Sequence, residues 1–244
     1  MKPVSLDVLG LSVALGGAPV VRTVDLALNA GEWCGLVGAN GSGKTTLLRC
    51  LAGRLKPQAG EIMLQGEATA ADPARRSHGV GLGPQLERLP KGLTPEELMA
   101  VLEQASGAPP DDPVGAAVRE ALGFDRLKAR SIGAMSAGQR QRISICCAFV
   151  GRPPVVLLDE PFNWLDPAVA HDLKTALKAA VRDHGLALLT ALHDTATLAG
   201  WCDHGVLMAE GRIVARFDSA DLARARQDLT GFEADLVARL RAGG

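Results

Sequence analysis

Apolar side chains recur along this chain with two different periods, and the switch between them predicts the elements. Trp33–Val37, Val155–Leu158 and Leu186–Leu192 are short, nearly unbroken apolar runs, as expected of parallel strands buried on both faces. Residues 1–35 read as short strands broken by the turn signals Gly16-Gly17 and Asn29-Ala30-Gly31. After Trp33–Val37 a glycine-rich turn leads into a helix with Leu47, Leu48 and Leu51 on its apolar face, and Gly53 is placed to end it as the C′ glycine. Pro57-Gln58-Ala59-Gly60 then turns the chain into a short strand, Glu61–Gln65.

From about residue 86 to 150 the period becomes helical. Thr94-Pro95-Glu96-Glu97 combines an N-cap, a proline at the first helical position and a capping-box glutamate, followed by Leu98, Val101, Leu102 and Ala105. Ala108–Pro113 reads as a loop, and Val114, Val118, Ala121 and Leu122 mark a second helix. Ser136 with Gln139 three residues on starts a third. A helix over Pro167–Arg182 separates the strands Val155–Leu158 and Leu186–Leu192, a β-α-β alternation. The tail from Asp218 places Leu222, Leu229, Phe232, Leu236 and Leu240 as an amphipathic helix or helix pair that packs on the core. The fold class is therefore α/β, a largely parallel sheet interrupted by a helical insert.

Composition narrows the functions open to such a domain. With 244 residues and 47% hydrophobic side chains the chain can bury a sizeable core. Lys and Arg number 26 against 27 Asp and Glu, so no global field draws it to nucleic acid or anionic lipid. Only 3% of residues are aromatic, which leaves few rings for stacking surfaces. No apolar run approaches the roughly 18 residues of a membrane-spanning helix, and the start lacks the apolar core of a secretory signal. Cys34, Cys50, Cys146, Cys147 and Cys202 lie in apolar segments without a C-x-x-C pair and read as reduced core thiols. A soluble, cytosolic protein is expected.

The chemistry is concentrated in three segments. Gly38-Ala39-Asn40-Gly41-Ser42-Gly43-Lys44-Thr45 fits G-x-x-x-x-G-K-[ST], the P-loop. Its glycines let the backbone curl so that successive N–H groups point at phosphate oxygens, and the following helix adds the positive end of its dipole. Lys44 supplies a charge to the β- and γ-phosphates, the Thr45 hydroxyl is a ligand for Mg²⁺, and Thr46 continues the nucleotide contacts. Asp159-Glu160 follows the buried run Val155–Leu158, at the strand end where open α/β sheets bind ligands. Asp159 is placed to hold the Mg²⁺ water shell and Glu160 to orient or deprotonate an attacking water. Ser136-Ala137-Gly138-Gln139 opens a helix whose first N–H groups lack intrahelical partners, and the small residues at 137 and 138 leave room for an anion to approach.

These three segments, in this order and spacing, resemble the ATP-binding-cassette (ABC) ATPases over essentially the whole chain. The resemblance implies a P-loop core with an antiparallel β subdomain and a helical subdomain at about 86–150, all within one nucleotide-binding domain spanning residues 1–244. It assigns Gln85 to the Mg²⁺ and the water, His193 to the γ-phosphate and Asp166 to a partner subunit. Ser136, Gly138 and Gln139 would bind the γ-phosphate of ATP held by another chain. One P-loop and one such segment then imply a homodimer, or a heterodimer with a similar subunit, around two nucleotides. The expected function is the ATP-hydrolysing subunit of an ABC transporter, peripheral on the cytoplasmic face of separate integral membrane permease subunits. Gln85 and the insert after it would form the coupling surface. A soluble ABC ATPase acting on nucleic acid or ribosomes is the alternative, and the balanced charge opposes it. A nucleotide sensor without turnover is opposed by the presence of Glu160 and His193. The short chain after His193 leans to export. Three positions depart from the family pattern: Leu15 stands where an aromatic residue usually stacks on adenine, Ala137 replaces a glycine, and Cys147 replaces a common arginine.

Overall fold

A computed structural model describes residues 4–107 and 112–242. Of the expected loop Ala108–Pro113, residues 108–111 lie outside the described residues. Two sheets organise the chain. A four-stranded antiparallel sheet has the order β2-β1-β4-β5, with β1 Val4–Leu15, β2 Ala18–Asn29, β4 Ala59–Leu64 and β5 Glu67–Ala68. A six-stranded sheet has the order β10-β9-β3-β8-β7-β6. Its strands are β3 Trp33–Val37, β6 Val80–Leu82, β7 Val155–Asp159, β8 Ala187–Leu192, β9 His204–Ala209 and β10 Arg212–Phe217. Five of the six run parallel, and β10 closes the edge as the antiparallel arm of a hairpin.

The three apolar runs become β3, β7 and β8, side by side in the middle of this sheet, buried along their length as their composition requires. Expectation and structure part over residues 1–35: in place of short strands, β1 and β2 each run 12 residues. Glycine does not break β1, because Gly10 takes φ +60° within a register irregularity and its N–H is satisfied by Asp25 Oδ1 at 2.6 Å. β4 starts at Ala59, earlier than expected. Gly60, at φ +97°, lies so close to β1 that a Cβ there would come within 2.6 Å of the Gly10 and Leu11 backbone.

Helix α1 (Lys44–Leu51) follows β3, and its end is a Schellman turn. Gly53 at φ +73° donates to the Cys50 carbonyl at 3.0 Å, and Arg54 N donates to the Arg49 carbonyl at 2.8 Å. A short helix α2 (Pro73–Gly79), which the periodicity did not predict, precedes β6. The insert holds α3 (Pro95–Ser106), α4 (Pro113–Ala121) and α5 (Ala137–Cys147). Thr94 and Ser136 cap α3 and α5 through reciprocal capping boxes with Glu97 and Gln139, as their spacing predicts. Leu89, Leu98, Leu127, Ile132, Met135 and Ile143 give this segment a small apolar core of its own. Helix α6 (Pro167–His184), capped by Asp166 and ended by Gly185 at φ +69°, leads into β8. Helix α7 (Thr195–Trp201) follows, and the tail is a pair, α8 (Ser219–Gln227) and α9 (Leu229–Ala242). The cysteines are all free, and burial pushes the Cys34 and Cys147 thiols up to about 12 and that of Cys50 to about 11. Among the described residues no helix is long and apolar enough to cross a membrane.

Candidate active site

Four neighbouring parallel strands deliver the expected residues to one sheet edge. In the order β3-β8-β7-β6, their carboxyl ends lead to the loop Gly38–Thr45, to His193, to Asp159 and Glu160, and to Gln85. The registers Val37↔Leu192, Asp159↔Ala191 and Leu82↔Leu157 put these ends level with one another. This is where ligands collect in open α/β sheets.

The glycine loop is built from packing as much as from conformational freedom. A Cβ on Gly38 would come within 2.3 Å of the Met208 carbonyl, and Gly43, the N-cap of α1 at φ +107°, would press on the Val20 carbonyl at 2.9 Å. Lys44 folds back into the loop, donating from Nζ to the Gly38 carbonyl at 2.7 Å and the Ala39 carbonyl at 3.2 Å. Burial lowers its pKa, while Glu160 and Asp159 act in the opposite sense. Ser42 Oγ is buried without a hydrogen-bond partner, whereas Asn40 and Gly41 are exposed at the tip. Thr46 is buried on α1 and Thr45 half-buried.

Asp159 lies across from the loop. Its pKa is raised, chiefly by burial, against a hydrogen bond from the Thr45 hydroxyl, and its Oδ1 is buried with no partner. An oxygen donor pair with one orphaned carboxylate oxygen suits a hard cation that keeps waters and takes the rest of its shell from phosphate. Among the described residues no three His, Cys, Asp or Glu side chains cluster to hold a metal by themselves. Residues 45, 159 and 160 share a cavity of about 360 Å³ with Gln85, the residue before the short turn Leu86–Arg88.

Both oxygens of Glu160 are held. Oε1 lies 2.5 Å from His193 Nε2, and Oε2 accepts from Asn163 Nδ2 at 2.8 Å. Glu160 itself sits at φ +50°, an uncommon conformation for a non-glycine residue and one concentrated at functional sites. Asn163 was not singled out by the sequence, since its place beside Glu160 depends on the turn that follows β7. Two backing residues were also missed. Gly211 N donates to the Ser42 carbonyl at 2.9 Å, and the Met208 carbonyl backs Gly38; both belong to the β9–β10 hairpin, which pattern reading passed over. The dipeptide Glu210-Gly211, both residues at positive φ, was the available signal for its two-residue turn.

The capped start of α5 stands apart. Ser136, Gly138 and Gln139 do not line the cavity that holds Thr45 and Glu160; from α5 only Gln141, Ser144 and Ile145 do. Room for an anion is not what requires glycine at 138: a Cβ there would come within 2.4 Å of the Trp164 carbonyl, so the loop after Glu160 fills that space. Asp166 caps α6 through Val169 N at 3.1 Å and pairs with Arg142 at 2.7 Å, and these contacts lower its pKa, the Val169 bond foremost. Leu15 is exposed at the β1–β2 turn, on the hairpin whose Val20 carbonyl touches the P-loop.

A strand–P-loop–helix unit with an acidic pair two strands away in the same parallel sheet defines a nucleoside-triphosphate hydrolase of the P-loop class, and comparison with known proteins narrows it. The sequence matches the ABC transporter family over residues 21–163. It is 35% identical to a hemin import ATP-binding protein, HmuV, of Pseudomonas entomophila, over 85% of this chain and 84% of that one. A protein of the same name from Bordetella pertussis is 33% identical over 96% of this chain and 95% of its own. Among solved structures, an ATP-binding subunit of an ABC transporter superposes with a TM-score of 0.81 at 27% identity, over 95% of this chain and 99% of that one. The chain belongs to the ABC transporter family. It is an ATP-binding, ATP-hydrolysing subunit of a transporter, working with separate membrane components, and nothing supports the nucleic-acid alternative.

Proposed function

We propose that this subunit powers import, with hemin or a closely related cargo as the substrate. Import replaces the export that the short chain after His193 suggested, because relatives matching nearly its whole length are named for hemin import. In this reading residues 1–244 form one nucleotide-binding domain, with a helical subdomain at about 86–150, attached to the cytoplasmic face of permease subunits. Two copies of the chain face each other, and ATP on the P-loop of one meets Ser136, Gly138 and Gln139 of the other. The separation of these residues from the Thr45–Glu160 cavity within one chain supports that division of labour. Leu15 gives the adenine an apolar contact in place of a stacked ring.

The backbone N–H groups of Gly38–Thr45 and the Lys44 ammonium take the phosphates; Lys44 exchanges its two loop carbonyls for phosphate oxygens. Thr45, Asp159 and Gln85 hold Mg²⁺, which supplies charge neutralisation to the β- and γ-phosphates. His193 turns from Glu160 to the γ-phosphate as ATP enters, and this frees Glu160 Oε1 to accept a proton from the attacking water while Asn163 keeps the carboxylate aimed. The observation that carries the reading is the doubly held Glu160 beside an orphaned Asp159 oxygen on the P-loop edge. The test reconstitutes the assembled transporter in liposomes with Glu160→Gln. ATP still binds, hydrolysis falls about 10²–10⁴-fold, and hemin accumulation stops with it. Undiminished hydrolysis removes the role given to Glu160, and hydrolysis indifferent to every cargo but one unrelated to hemin removes the substrate.

A further inference from the structure

Three consecutive backbone carbonyls precede Gln85, and each is held from the side. After β6 the chain leaves the sheet, so these carbonyls need other partners. Arg54 supplies two: its guanidinium donates to the Gly83 carbonyl at 3.0 Å and to the Leu82 carbonyl. The Ser144 hydroxyl supplies the third, donating to the Pro84 carbonyl at 2.6 Å. Gly83 is pressed against the same helix, since a Cβ there would lie 2.1 Å from the Ser144 carbonyl.

The two donors come from different parts of the molecule. Arg54 is the C″ residue of the Schellman turn that ends α1, the helix that starts at Lys44, and that turn sets where its side chain leaves the backbone. Ser144 lies on α5, the helix that starts beside Ser136. Burial above all disfavours the Arg54 charge, and Arg49 and Arg88 lie near enough to oppose it as well. The two carbonyls thus hold a guanidinium among its own kind, and a planar fork can bridge neighbouring carbonyls where an ammonium cannot.

We propose that Arg54 and Ser144 form a clamp on the carbonyls of Leu82, Gly83 and Pro84 that positions Gln85, so that the P-loop helix and α5 jointly set its distance from the metal and the water. Both line the same cavity as Gln85 and act through it, as positioning residues. The inference rests on the metal and water role proposed for Gln85, and the test separates the two.

Arg54→Gln, Arg54→Lys, Ser144→Ala and Gln85→Ala are compared in the full-length chain. Mn²⁺ affinity for the ATP complex is read by electron paramagnetic resonance in the Glu160→Gln background, and ATP affinity is read in EDTA. Ser144→Ala, which removes one hydrogen bond, is expected to weaken Mn²⁺ binding about fivefold, and Arg54→Gln, which removes the fork that makes two, by about 25-fold. Metal-free ATP affinity stays within about twofold, and Arg54→Lys, which keeps charge but loses the fork, falls between. Mn²⁺ affinity unchanged in Arg54→Gln and Ser144→Ala but weakened in Gln85→Ala overturns the clamp and leaves the role of Gln85 standing. Unchanged affinity in Gln85→Ala overturns that role, and the clamp with it.

Discussion

Asp159 combines the metal-binding role proposed for it with a cost to the fold. Burial raises its pKa, the Thr45 hydroxyl only partly compensates, and Oδ1 has no partner. An acid whose folded pKa lies above its unfolded value favours folding only while protonated. Its ionised form therefore subtracts stability as the pH rises through the raised value, and the penalty is gone once the pH falls to the ordinary 3.8. Asp159→Asn should then melt higher than the wild type at pH 7, by about 2–4 °C if relieving the buried charge returns about 1 kcal/mol. The gain should close as the pH is lowered toward 3.8, and Mg²⁺ with ATP should no longer stabilise the variant. Equal melting temperatures at pH 7 would mean that water already solvates the carboxylate. At this scale the sequence was informative wherever chemistry is local in the chain: Lys44, Thr45, Asp159 and Glu160 stand in contiguous motifs. Asn163 escaped because its contact with Glu160 depends on the turn after β7, and Arg54 because its carbonyl partners lie on a distant segment.

Elements were legible where their ends carry their own stop and start signals. Thr94 with Glu97, Ser136 with Gln139 and Gly53 after α1 each satisfy backbone groups within a few residues, so the boundary is written locally. The β9–β10 hairpin was not, because β9 earns its place by pairing with β3, far away in sequence, and by backing the P-loop with Met208 and Gly211. Helix α5 belongs to both groups. Its cap is local, but its glycine is required by another element, since Gly138 faces the Trp164 carbonyl at 2.4 Å from a would-be Cβ. A methyl group there has to displace the loop that runs from Glu160 to Asp166, whose carboxylate is tied back to α5 through Arg142. Gly138→Ala should therefore disturb the site from a distance: helix content is kept, because alanine suits a helix better than glycine, yet hydrolysis falls about tenfold or more. Circular dichroism and turnover measured on the same preparation check both halves, and a helical variant with full turnover would show that the loop yields without moving Glu160.

For the whole molecule, what one chain lacks is as informative as what it contains. Its phosphate loop and the capped start of α5 belong to different surfaces, since none of Ser136, Gly138 and Gln139 lines the cavity with Thr45, Asp159 and Glu160. In the two-fold pair proposed above each composite site takes a P-loop from one copy and a capped helix from the other. Defects in the two halves should therefore complement. Lys44→Ala disables the phosphate loop. Ser136→Glu puts an acidic residue at a helix N-terminus, where it suits the dipole although it gives up the hydroxyl cap on Gln139, and places a carboxylate against the γ-phosphate. Each variant alone has two defective sites per pair. A mixed pair arranges them unequally: one site takes both defects, and the other has an intact loop facing an intact helix. Equal amounts of the two variants, unfolded or dissociated and reassembled together, should recover about a quarter of wild-type hydrolysis if the sites act independently, because about half the pairs are mixed and each has one sound site. Recovery well below that, with mixed pairs demonstrated by differential tags, means that both sites must fire together. Full activity for Ser136→Glu alone, with the mixture at about half of wild type, would place the whole catalytic apparatus within a single chain.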